Sequence, residues 1–168
     1  MNMHTAMPAL QRDLIEVLPR HDLAEGTIET RLWLQEHDWI FAVLKSEQNI
    51  SPTFRIPDLV SACVSIVFSN QGASDQIFDF LGTELIMRHP NTPRRRESMW
   101  RAQYDLLLAL QRSPLNRHPN PKFQLDQLTT ACVALCRRIG PAGEQLLRQS
   151  RLNMADRSAR KKETLATR

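Results

Sequence analysis

Two stretches of this chain align with each other, and that self-similarity limits what it can fold into more than any other feature. Residues 33–46 (WLQEHDWIFAVLKS) match 100–113 (WRAQYDLLLALQRS) at an offset of 67, with Trp33/Trp100, Asp38/Asp105, Ala42/Ala109 and Ser46/Ser113 identical. Residues 52–64 (PTFRIPDLVSACV) match 121–133 (PKFQLDQLTTACV) at an offset of 69, sharing Pro52/Pro121, Phe54/Phe123, Leu59/Leu128 and the run Ala62-Cys63-Val64 with Ala131-Cys132-Val133. The register persists through 73–78 and 142–147, so that 12 of 33 aligned positions are identical, against roughly two expected from average composition. The extra two residues fall in a connecting loop, where insertions are tolerated. The expectation is a duplicated unit of about half the chain.

Each copy has the same local reading. Leu59, Ala62, Cys63, Ile66 and Val67, and likewise Leu128, Ala131, Cys132, Leu135 and Cys136, fall at i, i+3, i+4, i+7 and i+8, which predicts central helices over 57–69 and 126–138. Apolar segments at 38–47 and 104–113 precede them. A further helix is expected to start near Ser74 as N-cap, and another near Gly143-Glu144. Upstream, Leu32 and Leu34 alternate with Arg31, Trp33 and Gln35, the period of a half-buried strand over 30–35; its counterpart, 97–102, alternates poorly. Residues 10–18 fit a short helix, and the polar, basic stretch from about 149 reads as a disordered tail.

Charge divides the chain. Residues 1–81 carry 5 Lys/Arg and 11 Asp/Glu, whereas 82–168 carry 17 and 7, a polarity hidden by the overall net charge of +4. Clustered arginines such as Arg94, Arg95 and Arg96 suit a polyanionic partner, because neutralising phosphates releases counterions. A solvated basic face is the plainer reading of the same residues. With 42% hydrophobic residues the chain can bury a core, but its longest apolar runs, Trp39–Leu44 and Leu106–Leu110, fall far short of the roughly 20 residues that span a bilayer. No membrane association is expected. The odd cysteine count and the absence of a signal-like start lead to a cytoplasmic expectation.

A short strand, a helix, a turn and a second apolar helix resemble the ribbon-helix-helix unit of the Arc/MetJ superfamily. The residues that carry the resemblance are TRLWLQ-EHDWIFAVLKSEQNIS (30–51) with helix 57–69, and SMWRAQ-YDLLLALQRS (98–113) with 126–138. Two units in one polypeptide are similar to the single-chain tandem forms among TraY-like and virulence-C overdrive-binding-like conjugation accessory proteins. The resemblance implies a mainly α fold with a short two-stranded ribbon, a pseudo-dimer within one monomeric chain, and double-stranded DNA as partner. It also implies a setting in conjugation, beside relaxosome or other DNA-processing proteins, or in transcription regulation. Carried over residue by residue, Arg31, Trp33 and Gln35 on one strand and Trp100 with Arg101 on the other lie nearest the bases. Arg94, Arg95, Arg96 and Lys122 track the backbone, and the helix N-termini after Ser51 and Asn120 hold phosphates. The implied division is an arm over 1–27, units over 28–87 and 97–148, a basic linker over 88–96 and a tail over 149–168.

Alternatives stay open within this reading. Pro57 cannot occupy a helix interior, so 54–56 and 123–125 are a second choice for the strands. Trp33 and Trp100 are large enough to be core anchors instead of base contacts. Glu29, Glu36 and Asp38 would sit close to a phosphate backbone. An all-α tandem repeat, acting as a protein-binding adaptor, is the rival architecture; it requires 30–35 and 97–102 to be helical. No catalytic, metal or cofactor residues are assigned. The histidines are scattered, Cys63, Cys132 and Cys136 read as small helix-packing residues, and Asp38 and Asp105 read as helix caps.

Overall fold

The computed structural model describes residues 26–116 and 123–167, in the order β1 (Thr27–Trp33), α1 (Leu34–Leu44), α2 (Ile56–Phe68) and α3 (Ala73–Thr83), followed by a 3-10 turn at Leu85–Met87. The order then repeats as β2 (Arg94–Trp100), α4 (Arg101–Arg112), α5 (Leu125–Ile139) and α6 (Glu144–Ala166). The protein is mainly helical, with one antiparallel two-stranded sheet in which Thr27 faces Trp100 and Trp33 faces Arg94.

β1 is extended because Thr27, Ile28 and Thr30 are β-branched and the pattern alternates, with Ile28, Thr30 and Leu32 turned inward and Thr27, Glu29 and Arg31 outward. β2 has little strand propensity of its own; it is extended because β1 offers it a ladder. Each strand passes straight into a helix. Trp33 and Trp100 occupy the N-cap positions without any side-chain cap. The ends of the ladder do the capping instead, the Leu34 N–H donating to the Pro93 carbonyl at 2.9 Å and the Arg101 N–H to the Gly26 carbonyl at 2.9 Å.

The underside of the ribbon rests on the two central helices, crosswise. β1 lies on α5, where the Trp33 N–H donates to the Thr130 hydroxyl at 3.3 Å and the Thr30 and Thr129 hydroxyls meet at 3.0 Å. β2 lies on α2, where the Trp100 N–H donates to Ser61 at 2.8 Å. The third helices cross over as well, α3 packing on α5 and α6 on α2. Every residue of α2 from Asp58 to Phe68 is buried, so this helix is covered all round. Two buried asparagines clip equivalent loops: Asn49 Nδ2 donates to the Leu44 and Phe54 carbonyls, and Asn116 Nδ2 to those of Gln111 and Phe123.

Several expectations are corrected. The strands lie three residues earlier at their starts than 30–35 and 97–102, and both end at tryptophan, so Gln35 and Arg101 belong to helices and the stretch 88–96 contains the start of β2. Segments 54–56 and 123–125 are not strands: Phe54 and Phe123 are buried coil, and Ile56 and Leu125 open helices, with Pro57 tolerated in the first turn. Asp38 and Asp105 sit inside α1 and α4 and do not cap them. α3 is capped by Gly72 in the left-handed conformation, not by Ser74, which is buried within the helix. The stretch from 149 is helical to Ala166, because Ser150 and Asn153 anchor it to α2. The short helix expected over 10–18 lies outside the described residues.

The packing of the core sets two stability outcomes. Gly143, the N-cap of α6, has φ +85°, and a Cβ there would meet Val43 Cγ2 at 2.8 Å, whereas Gly72, with φ +80°, opens onto free space. Gly143→Ala should therefore lower the free energy of urea unfolding by about 2–3 kcal/mol, and Gly72→Ala by only about 1 kcal/mol, the backbone cost alone. The cysteines Cys63, Cys132 and Cys136 are buried and free. Burial, and then a hydrogen bond with Cys136, holds the Cys63 thiol well above its ordinary value; burial does the same to Cys132. Unfolded thiols ionise around their ordinary 9.0 while these two keep their protons, so their stabilising effect is complete below that pH and declines as pH rises above it. Urea titrations at increasing pH above 9 should show a shallower loss of stability in Cys63→Ala/Cys132→Ala than in the parent.

Candidate nucleic-acid interface

The outward face of the ribbon is the strongest candidate site. Antiparallel partners share a face, so Glu29 stands beside Ser98 and Arg31 directly opposite Arg96. Arg31, Arg95 and Arg96 are exposed. Like charges placed directly opposite one another disfavour the pairing by a few tenths of a kcal/mol or more. Glu29 offsets part of this through an ion pair with Arg96 at 3.1 Å, but both side chains are more than half exposed, and such pairs contribute little in water. The centre of the ribbon therefore presents two guanidinium groups to solvent, one of them paired with a carboxylate.

The two ends of the same face are closed by tryptophans. Trp33 is only 4% exposed, with the Arg94 guanidinium 4.2 Å and the Arg88 guanidinium 5.8 Å from its ring. Arg94 is further committed by Asp126 at 3.6 Å and by the Thr92 carbonyl at 3.0 Å. Trp100 is half-buried; its indole N–H donates to Asp58 Oδ1 at 2.8 Å and its ring is covered by Arg157 at 4.1 Å. Arg157 also reaches Asp58 Oδ1 at 3.2 Å. The Trp33 indole N–H has no partner among the described residues. Asp58 has two acceptor oxygens and uses Oδ2 for the Arg55 N–H, leaving Oδ1 for Trp100. Gln127 stands at the matching place, 69 positions on, and its amide oxygen accepts from the Gln124 N–H at 2.8 Å.

The residues expected to contact DNA are thus divided. Arg31, Arg95 and Arg96 stand exposed to solvent on or beside the ribbon face. Trp33 is a core anchor and is corrected as a base contact; Trp100 is pinned beneath Arg157. Arg94 is tied into the packing. Gln35 is exposed in the first turn of α1, and Arg101 is half-buried in the first turn of α4. Ser51 lies four residues before Arg55, the N-cap of α2, so it does not mark that helix N-terminus. The capping N–H groups of α2 and α5 are themselves occupied by Asp58 and Gln127. Lys122 and Asn120 lie outside the described residues.

Sequence reasoning missed a buried ion pair behind Trp33. Glu36, 2% exposed, receives two hydrogen bonds from Arg88 at 2.8 and 2.5 Å. Arg88 is also 5.8 Å from the Phe80 ring, and Arg138, paired with Glu84, lies 5.2 Å from it. Together these residues line a cleft of about 480 Å³ between α1, α3 and α5, whose Arg88 and Arg138 are matched by carboxylates. Only the unusual pairing of a glutamate with an otherwise apolar helix face hinted at it. Among the described residues no group of three or more His, Cys, Asp or Glu is placed to hold a metal ion, and no helix is long and apolar enough to cross a membrane.

No protein-family model matches the chain, and neither the curated proteins nor the solved structures yield a match.

The ion pair gives a stability test. Arg88→Met strands the Glu36 carboxylate in the interior and should lower unfolding free energy by about 3–5 kcal/mol, while Glu36→Gln/Arg88→Met together should recover much of it. Thermal or urea denaturation of the three proteins measures both effects.

Proposed function

We propose that this chain is a non-enzymatic double-stranded DNA-binding protein, an internally duplicated ribbon-helix-helix unit that works as a pseudo-dimer in one polypeptide. The observation that carries the reading is the outward Arg31/Arg96 pair at the centre of an antiparallel two-stranded ribbon. A two-stranded ribbon fits the major groove, where arginine donates two hydrogen bonds to guanine. A polyanion also relieves the repulsion that the two guanidinium groups impose on each other. Support for the duplication is the recurrence of three sets of hydrogen bonds at matched positions: strand to helix start, tryptophan N–H to central-helix hydroxyl, and asparagine to loop carbonyl. Fusing two units lets the strands differ, Glu29 and Arg31 on one and Arg96 and Ser98 on the other, which favours a non-palindromic target.

The proposed setting, a plasmid or mobile-element relaxosome accessory factor or a transcriptional regulator, follows from the family resemblance. The rival protein-binding adaptor needs helices where β1 and β2 pair, which weighs against it.

Fluorescence anisotropy of a mixed-sequence duplex, titrated across a salt series, tests the reading. Arg31→Ala and Arg96→Ala should each weaken binding and flatten the logarithmic salt slope by about 0.9 where the arginine meets a phosphate, or cost about 1–3 kcal/mol of discrimination where it meets a base. Arg94→Ala should chiefly lower stability. Absence of binding by the parent protein at low salt would overturn the proposal.

A further inference from the structure

α6 is much longer than α3, the helix at the matching place in the first half. α3 ends at Thr83 after 11 residues, whereas α6 runs for 23. Its contact with the body follows one stripe, Leu146, Ser150, Asn153 and Arg157, spaced by four, three and four residues. Arg157 is the last residue of that stripe to touch the body, and it does so on the ring of Trp100, the residue that closes one end of the outward ribbon face. From 158 to 167 every residue is exposed.

The stripe does not stop where the contact stops. Three and four residues after Arg157 come Arg160 and Lys161, on the helix face that Arg157 uses, while Lys162 falls off that face, about 140° round from Arg157. The surface that is polar and apolar over the protein becomes cationic where it overhangs. Ten solvated residues extend from the ribbon end with little to hold them as a helix beyond continuity with the docked part, since short isolated helices are marginal in water. Among the described residues the opposite end of the ribbon, closed by Trp33, has no such extension, because the chain there turns from α3 through Leu85–Met87 into β2.

We propose that the overhang of α6 is a one-sided clamp for the phosphate backbone of duplex DNA flanking the segment held by the ribbon, with Arg160 and Lys161 as the contacting groups. This inference rests on the duplex-binding reading above. The occupant is argued from charge complementarity and place: two cations, extending the stripe that ends on the ribbon's own tryptophan, meet the polyanion that the ribbon would carry past them. The consequence is an asymmetric footprint, longer on the side of Trp100 and Thr27 than on the side of Trp33 and Arg94.

Lys161→Ala and Lys162→Ala remove the same charge from neighbouring positions about 100° apart around the helix, one on the stripe and one off it, so the pair separates a positioned clamp from general electrostatics. With a fluorescein-labelled mixed-sequence duplex and the full chain, Lys161→Ala should reduce the logarithmic salt slope by about 0.9, and Arg160→Ala/Lys161→Ala by about 1.8. Between 50 and 200 mM salt the double variant should then lose about tenfold less affinity than the parent. Lys162→Ala should keep the parent slope. Hydroxyl-radical footprinting should show protection shortened on one side only in the double variant, with an unchanged Tm confirming that the body is intact. A parent that binds while Lys161→Ala and Lys162→Ala have equal effects, or none, overturns the clamp and leaves the ribbon reading standing. A parent that fails to bind duplex at low salt overturns both, including the case in which the overhang binds anionic phospholipid vesicles instead.

Discussion

The pairing of β1 with β2 is the contact on which the remainder of the architecture depends. Among the described residues each strand has one neighbour and no other, so neither can satisfy its backbone groups alone. The same ladder supplies the first acceptor for α1 and for α4, in place of side-chain caps. It also fixes the crosswise seating of β1 on α5 and β2 on α2, and with it the position of Arg31 against Arg96. A slip of one residue would turn Leu32 and Met99, both fully buried, out to water and bring Arg31 inward. The register is therefore held by burial underneath, and the exposed arginines above are carried to their places by it.

The two halves are matched in plan and unequal in chemistry. At one end of the ribbon an aspartate with two acceptor oxygens secures a tryptophan and an arginine together; at the other a glutamine secures only its own helix N-terminus, and the indole is covered by guanidinium groups instead. One third helix is short and ends in a turn, and the other runs on past the body.

How much of this was legible in the sequence depends on which interactions decide each feature. The helices were legible because an apolar stripe on a 3.6-residue period is a local record of a buried face, as Leu59 to Val67 show. β1 was legible in outline from Leu32 and its neighbours. β2 was not, since Arg94-Arg95-Arg96 reads as a solvated linker until a partner strand from 67 residues earlier is set beside it. The fate of the tryptophans was equally hidden: alternation places Trp33 outward, and only the arrival of Arg88 and Arg94 from elsewhere in the chain buries it. The tail misled for a related reason. Its composition is that of a disordered segment, and the anchoring groups, Ser150 and Asn153, are polar residues whose partners lie on α2. Of the candidate interface, the exposed arginines could be named in advance, while their opposition across the ribbon required the register.

The interleaving of the halves also bears on synthesis. β1 emerges with its edge unpaired and must wait for Trp100 to follow, which at ribosomal rates of about 5–20 residues per second means several seconds or more. During that interval α2 is without β2 and α6, the elements that cover Ser61, Ser65 and Asp58. The first half is thus born as an incomplete core with an open strand edge, a form that recruits a second strand from any neighbour that offers one. Acidic charge is concentrated in that same half, with 11 Asp/Glu against 5 Lys/Arg over residues 1–81, so two nascent chains on one message repel each other while each waits for its own second strand.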